Sequence, residues 1–202
     1  MLWLQKKHSD RTISRIVSAY PSALSEEVKN ALNVVPSAKL EPTESDIGQV
    51  RVADEMLHIP SRVYFPEPDR HALARLSPVQ KPLIAALYTR HHDGFVRERW
   101  VKELINTSTE WVPPFVIQLI GEYVIEIIWL LSSRREALKH EHYFRFIQGC
   151  SELADLTCRR IVSYWECYFR HMTRHFSDHI AYQLAADIGL WRRDIAPRLE
   201  KR

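Results

Sequence analysis

Along this chain of 202 residues, apolar side chains recur mostly three and four positions apart, the period of an α-helix. Ile13, Ile16, Val17 and Tyr20 make one such face, with Ser9 or Asp10 placed to cap it and Pro21 to stop it. Leu24, Val28, Ala31 and Leu32 mark a second short helix, ended before Pro36. The run 36–46 then carries two prolines, three acids and one large apolar side chain, Leu40. Residues 1–46 therefore read as a loosely attached helical extension and linker, and residues 47–202 as a single mainly helical domain.

Between residues 49 and 65 the period shortens to two. Val50 and Val52 alternate with Gln49 and Arg51, Leu57 and Ile59 alternate with His58, and Ala53-Asp54-Glu55 can turn between them. This is a small β-hairpin, with Val63-Tyr64-Phe65 as a third extended piece. Helical spacing returns at Asp69. Ser77-Pro78-Val79-Gln80 has the form of a capping box with proline at the first helical position, ahead of Leu83, Ile84, Leu87 and Tyr88. Asp93 is placed to cap the next helix, which carries Val96, Trp100, Val101, Leu104 and Ile105 on its inner face.

Pro113 to Leu131 is the most apolar segment, and it reads as one buried helix. Nineteen helical residues would span about 28 Å, but Glu122 and Glu126 would each cost roughly 3 kcal/mol or more in lipid. The soluble reading is favoured. Tyr143, Ile147, Cys150, Ala154, Cys158, Ile161, Trp165, Tyr168, Met172 and Phe176 continue as a single stripe, with Gly149 as a weak point. Asp178 is placed to cap a last helix with Ile180, Leu184, Ile188, Trp191 and Ile195 inward, ended before Pro197. The predicted fold class is all-α, built of stacked helical hairpins or an irregular helical bundle, with the small hairpin appended.

Composition narrows the function classes. Five glycines are too few for a phosphate-cradling loop, and twenty-one aromatic residues supply a substantial core. The net charge of +3 is too weak to point to nucleic acid or a membrane surface, although residues 132–202 alone carry 13 basic and 9 acidic groups. Cys150, Cys158 and Cys167 fall in one helical pattern, neighbours about 12 Å or more apart, beyond disulfide reach. With an N-terminus that has no apolar signal region, this points to the cytoplasm.

Residues 83–104 resemble one unit of a HEAT-like helical repeat. The resemblance rests on the turn Asp93-Gly94-Phe95-Val96-Arg97, followed by Trp100 and Leu104. Gly121-Glu122-Tyr123-Val124, 28 residues after the first turn, resembles a degenerate second one, which would break the apolar helix and extend the likeness to about residue 131. Trp100 is larger than the small residue usual at its position. The resemblance implies stacked helical hairpins and a partner-binding role, with no catalytic residues.

Three constellations carry possible chemistry. Cys167, His171, His175 and His179 stand four apart, so two or three of them could face one Zn²⁺ on a helix; Cys167, His171 and His175 are the candidate ligands. Successive members drift around a helix by about 40°, so all four cannot converge. His92-Asp93 resembles the paired ligands of HD-type metal phosphohydrolases, with His71 as an earlier histidine and Asp155, Asp178 or Asp187 as a distal acid. Against this, Asp93 already has a structural task. Glu122 and Glu126 are spaced as paired carboxylates, although contact with Arg97, Arg99 or another cation between helices is the favoured account, and Arg145, Arg159, Arg170 and Arg174 share a mixed outer face with Glu152 and Glu166.

The favoured expectation is a non-catalytic protein-binding or scaffold module that uses helical surfaces, with no cofactor, no catalytic residue and no metal. The alternative is a metal-dependent, HD-like phosphohydrolase using His71, His92 and Asp93. A protein partner is expected; nucleic acid and membrane are not.

Overall fold

The computed structural model describes residues 8–45 and 48–191. Asp46, Ile195 and Pro197, which the sequence places at the end of a linker and in the last helix, lie outside the described residues. Ten α-helices and one two-stranded hairpin are present among the described residues, so the fold is mainly α with a small β element. They form two compact units, one up to Trp100 and one from Val101. Residues 47–202 are thus divided, where the sequence suggested a single domain.

In the first unit, α1 (Asp10–Val17) starts on Ser9, whose Oγ accepts the Thr12 N–H at 3.0 Å. α2 spans Ser25–Ala31. β1 (Val50–Val52) pairs antiparallel with β2 (Glu55–Leu57) in the register Val50–Leu57, Arg51–Met56 and Val52–Glu55. The two-residue connection places Ala53 at φ +49°, in the left-handed region. α3 (Arg70–Ala74) is capped by Asp69, whose Oδ1 accepts the Ala72 N–H at 2.8 Å.

α4 (Gln80–Tyr88) opens on the expected reciprocal pair. Ser77 Oγ accepts from Gln80 N–H at 3.2 Å, and Gln80 Oε1 accepts from Ser77 N–H at 3.1 Å. α5 (Gly94–Leu104) follows Asp93, whose Oδ1 accepts the Phe95 N–H at 2.8 Å. Val63 forms an isolated parallel bridge with His91, so the third extended piece pairs with the turn after α4 instead of with the hairpin.

The N-terminal residues are not loosely attached, which corrects the sequence reading of 1–46. α2 packs on α4. Val28, Ala31 and Val35 are buried, and Tyr20 donates its hydroxyl proton to the Leu83 carbonyl at 2.8 Å. The proline-rich run is held as well. Thr43 N–H donates to Arg62 O at 2.9 Å, while Arg62 N–H donates to Thr43 Oγ1 at 2.8 Å. Its polar composition serves backbone pairing here, which composition alone does not distinguish from a solvated linker.

In the second unit the segment 113–131 is not one helix. α6 (Pro113–Ile117) tightens into a 3₁₀ turn at Gln118–Gly121, the chain runs extended through Glu122 and Val124, and α7 (Ile125–Ser133) begins afresh. Gly121 sits at the break, where a side chain has no room. A Cβ there would lie 2.9 Å from the Thr157 carbonyl oxygen and 3.0 Å from the Arg160 Cβ, so the chain presses directly on a neighbouring helix. Val116, Ile117, Leu119 and Ile120 are completely buried around this crossing, each contributing about 1.5–3 kcal/mol of hydrophobic stabilisation.

The long stripe is likewise interrupted. α8 (Glu141–Gly149) ends at Cys150, and α9 (Ser151–Tyr164) passes into a π-turn over Trp165–Phe169. In that turn the Arg170 N–H reaches back five residues to Trp165 O at 2.8 Å. α10 (Ile180–Asp187) follows His179; Asp178 sits in a preceding 3₁₀ turn and does not cap α10 with its side chain. α9 packs on the Gln118–Gly121 turn and α10 on α7. Among the described residues no helix is long and apolar enough to cross a membrane.

Candidate functional site

Gly121, pressed against α9, delivers the extended link 122–124 to the C-terminal end of that helix. Tyr123 on this link meets Tyr164 and Tyr168, which stand one turn apart. The ring centroids are 5.9 Å apart for Tyr123–Tyr164, 6.2 Å for Tyr123–Tyr168 and 5.9 Å for Tyr164–Tyr168. Tyr123 is 46% exposed and Tyr168 54%, so this triangle of phenols faces solvent. Phe169, which is buried, lies beside it, its ring centroid 6.4 Å from that of Tyr168.

The π-turn creates this arrangement. A regular helix would keep Tyr168 on the stripe with Trp165, as the sequence suggests. The wider i→i−5 turn instead rotates Tyr168 outward and turns Phe169 to the buried side. Met172, the next member of the expected stripe, is 56% exposed. The turn is held by tertiary bonds: the Trp165 indole N–H donates to Thr173 O at 2.9 Å, and the Arg170 guanidinium lies 5.5 Å from the Trp165 ring centroid. Arg170 also donates to Glu166 at 2.8 Å, as the i,i+4 spacing suggests.

The histidine ladder does not survive this geometry. Helical structure ends soon after Phe169, so Cys167, His171 and His175 do not stand in one row, and all three are exposed. His179 is buried and stacked on Phe169, centroids 5.2 Å apart. Burial pushes its pKa from 6.5 down to about 4, so it is neutral near pH 7.

In the first unit, His71 lies exposed on α3 and His92 is exposed and stacked on Tyr64, centroids 5.2 Å apart. Asp93 is committed to the start of α5, and the Phe95 N–H it accepts holds its carboxyl below the usual range. Beneath the same turn the Arg97 guanidinium is buried and donates to the carbonyls of His91 and His92 at 2.8 and 2.9 Å. Among the described residues, no three His, Cys, Asp or Glu side chains come together in a way that could hold a metal ion. Asp155, Asp178 and Asp187 all fall in the second unit.

Glu122 and Glu126 do not form a carboxylate pair on one stripe: Glu122 is buried in the extended link and Glu126 is exposed in the first turn of α7. Sequence reasoning missed the tyrosine triangle, assigning Tyr168 to the core stripe. The i,i+4 spacing of Tyr164 and Tyr168 was the available signal; Tyr123 carried none. Comparison of the chain with models of protein families, with curated proteins and with solved structures finds no match.

Proposed function

We propose that this chain is a non-catalytic protein-binding module whose contact surface centres on Tyr123, Tyr164 and Tyr168. The observation that carries the reading is the solvent-facing triangle of phenols, with the buried ring of Phe169 beside Tyr168. Tyrosine presents a large, rigid area with a polar tip and loses little conformational entropy on contact, and it is enriched where proteins bind one another. The three rings come from two separate chain segments, so the fold pre-arranges them before any partner arrives. A role on stacked helical hairpins, as the HEAT-like resemblance implies, fits this use of a helical surface. A cytoplasmic setting belongs to the same reading and is supported by three cysteines, Cys150, Cys158 and Cys167, that are not joined in disulfides.

The test replaces all three tyrosines by serine. Chemical cross-linking in cells of origin, followed by identification of the captured chains, is expected to give a defined set with the native protein. The triple variant, with an unchanged circular dichroism spectrum, is expected to lose that set. Retention of the same set by the folded variant overturns the proposal.

A further inference from the structure

A second surface, in the first unit and independent of the tyrosine triangle, has the character of a ligand site. Arg11, Ser14, Arg15 and Ser18 project from one side of the α1 region, spaced by three and four residues. They line a cleft of about 570 Å³ whose other walls are Thr43, Glu44, Ser45, Gly48, His58 and Pro60. That volume lies within the range of small-molecule sites, about 300–1,000 Å³. Polar side chains make up most of its lining residues, while polar and apolar atoms share its exposed surface about equally.

The cleft is built and braced. Arg15 donates from Nη1 to Pro42 O at 2.5 Å and from Nη2 to Glu44 at 3.4 Å, which fixes the guanidinium and leaves further N–H groups for a ligand. Ser18 Oγ donates to Arg15 O at 3.0 Å, and the His58 backbone N–H donates to Ser18 O at 2.8 Å, tying α1 to the opposite wall. The His58 ring is positioned by Gln49, with Nε2 of each 2.9 Å apart. Arg11 differs from Arg15: among the described residues it has no ion-pair or hydrogen-bond partner. Glu44 contributes one negative charge, but its side chain is 85% exposed at the rim and faces water.

We propose that this cleft binds the phosphate monoester of a small hydroxylated molecule. Arg11 and Arg15, one turn apart, form the charged end. Two guanidinium groups present planar pairs of N–H donors that match phosphate oxygens, which a single lysine-like charge would not do. Ser14 and His58 supply neutral donors and acceptors for the hydroxylated body.

Isothermal titration of the full chain tests this with three probes: glucose 6-phosphate, inorganic phosphate and glucose. Glucose 6-phosphate is expected to bind at least tenfold more tightly than inorganic phosphate, and glucose not at all. Arg11→Ala is expected to weaken glucose 6-phosphate at least tenfold while leaving the melting temperature unchanged, since Arg11 makes no bond in the described fold. Ser14→Ala is expected to weaken glucose 6-phosphate but not inorganic phosphate. Absence of phosphate binding at millimolar concentration, equal affinity for the two phosphates, or insensitivity to Arg11→Ala would each overturn the proposal.

Discussion

The rings of Tyr88 and Trp100 stack at 5.0 Å between centroids with their planes 21° apart, and together they clip the Pro66-Glu67 segment. The Tyr88 hydroxyl donates to Pro66 O at 2.6 Å, and the Trp100 indole N–H donates to Glu67 Oε1 at 2.7 Å. Arg99 donates to the other Glu67 oxygen. Tyr88 is fully buried, and its phenol is held well above the usual pKa by desolvation, with the Glu67 charge adding to it. Trp100 is only half-buried, whereas its neighbours Val96 and Leu104 are buried as their spacing suggested.

Trp100→Ala is therefore expected to cost about 1.5–3 kcal/mol, less than the roughly 3–5 kcal/mol of a fully buried aromatic. Trp100→Phe keeps a stacked ring and loses the bond to Glu67, for a cost of about 0.5–1.5 kcal/mol. Urea denaturation of the two variants checks both the size and the order. A Trp100→Phe variant no better than Trp100→Ala would show that the indole bond, not the stack, carries the effect.

Gly121 and Gly149 give opposite expectations for the same substitution. Gly121→Ala forces a Cβ against the Thr157 carbonyl and the Arg160 Cβ, and should destabilise by about 1–3 kcal/mol. Gly149, in the last turn of α8, has nothing within 4 Å of a built Cβ, so Gly149→Ala should stabilise by up to about 1 kcal/mol. Paired thermal melts suffice. Equal shifts in the same direction would contradict the close approach at Gly121.

His179 makes stability depend on pH. Its pKa is 6.5 in the unfolded chain and about 4 in the fold, because burial disfavours the imidazolium. Between those values the unfolded state holds more protons, so stability falls as the pH is lowered from about 6.5 towards 4 and changes no further from this group below that. The full effect is on the order of 1–3 kcal/mol. His179→Gln is expected to flatten the dependence measured by denaturant titration at pH 7, 6, 5 and 4.5. An unchanged pH slope in that variant would assign the acid sensitivity elsewhere.

Ala53 holds a left-handed conformation in the hairpin turn, where a Cβ is unfavourable. Ala53→Gly should gain up to about 1 kcal/mol despite the added freedom of the unfolded chain, and Ala53→Val should lose about 1–2 kcal/mol. Chemical denaturation midpoints of the pair check the sign. A loss with glycine would mean that the turn is not strained.

How much of this was legible depends on whether the instruction was local. The Ser77–Gln80 pair, the Asp93 cap and the Val50–Leu57 hairpin are each specified within a few residues, and they stand where the sequence puts them. The break at Gly121 was signalled only by the turn-like Gly121-Glu122-Tyr123-Val124, while the close packing there involves Thr157 and Arg160, more than thirty residues away, which periodicity does not register. The same holds for the tie between Tyr20 and Leu83, which turns an apparent extension into part of the first unit. At the tyrosine triangle, the stripe marks buried positions up to Trp165, apart from the half-buried break at Cys150, and then fails at Tyr168. The π-turn there is stabilised by Thr173, outside the turn itself, and a pattern of fixed period has no way to signal an added residue.

That added residue makes the triangle sensitive to chain length as well as to chemistry. A π-turn is equivalent to one residue inserted into an α-helix, so deleting a single residue within 165–169 would let the segment close into regular helix. Tyr164 and the chain beyond the turn would keep roughly their facing, because the deletion removes only the residue the turn absorbs, while Tyr168 inside the turn would be re-aimed. A partner that requires the aromatic face would therefore tolerate many substitutions near Trp165 and almost no change in residue number. Single-residue deletions scanned through this stretch should abolish the surface in a sharply bounded window, while the buried crossing at Gly121 stays intact.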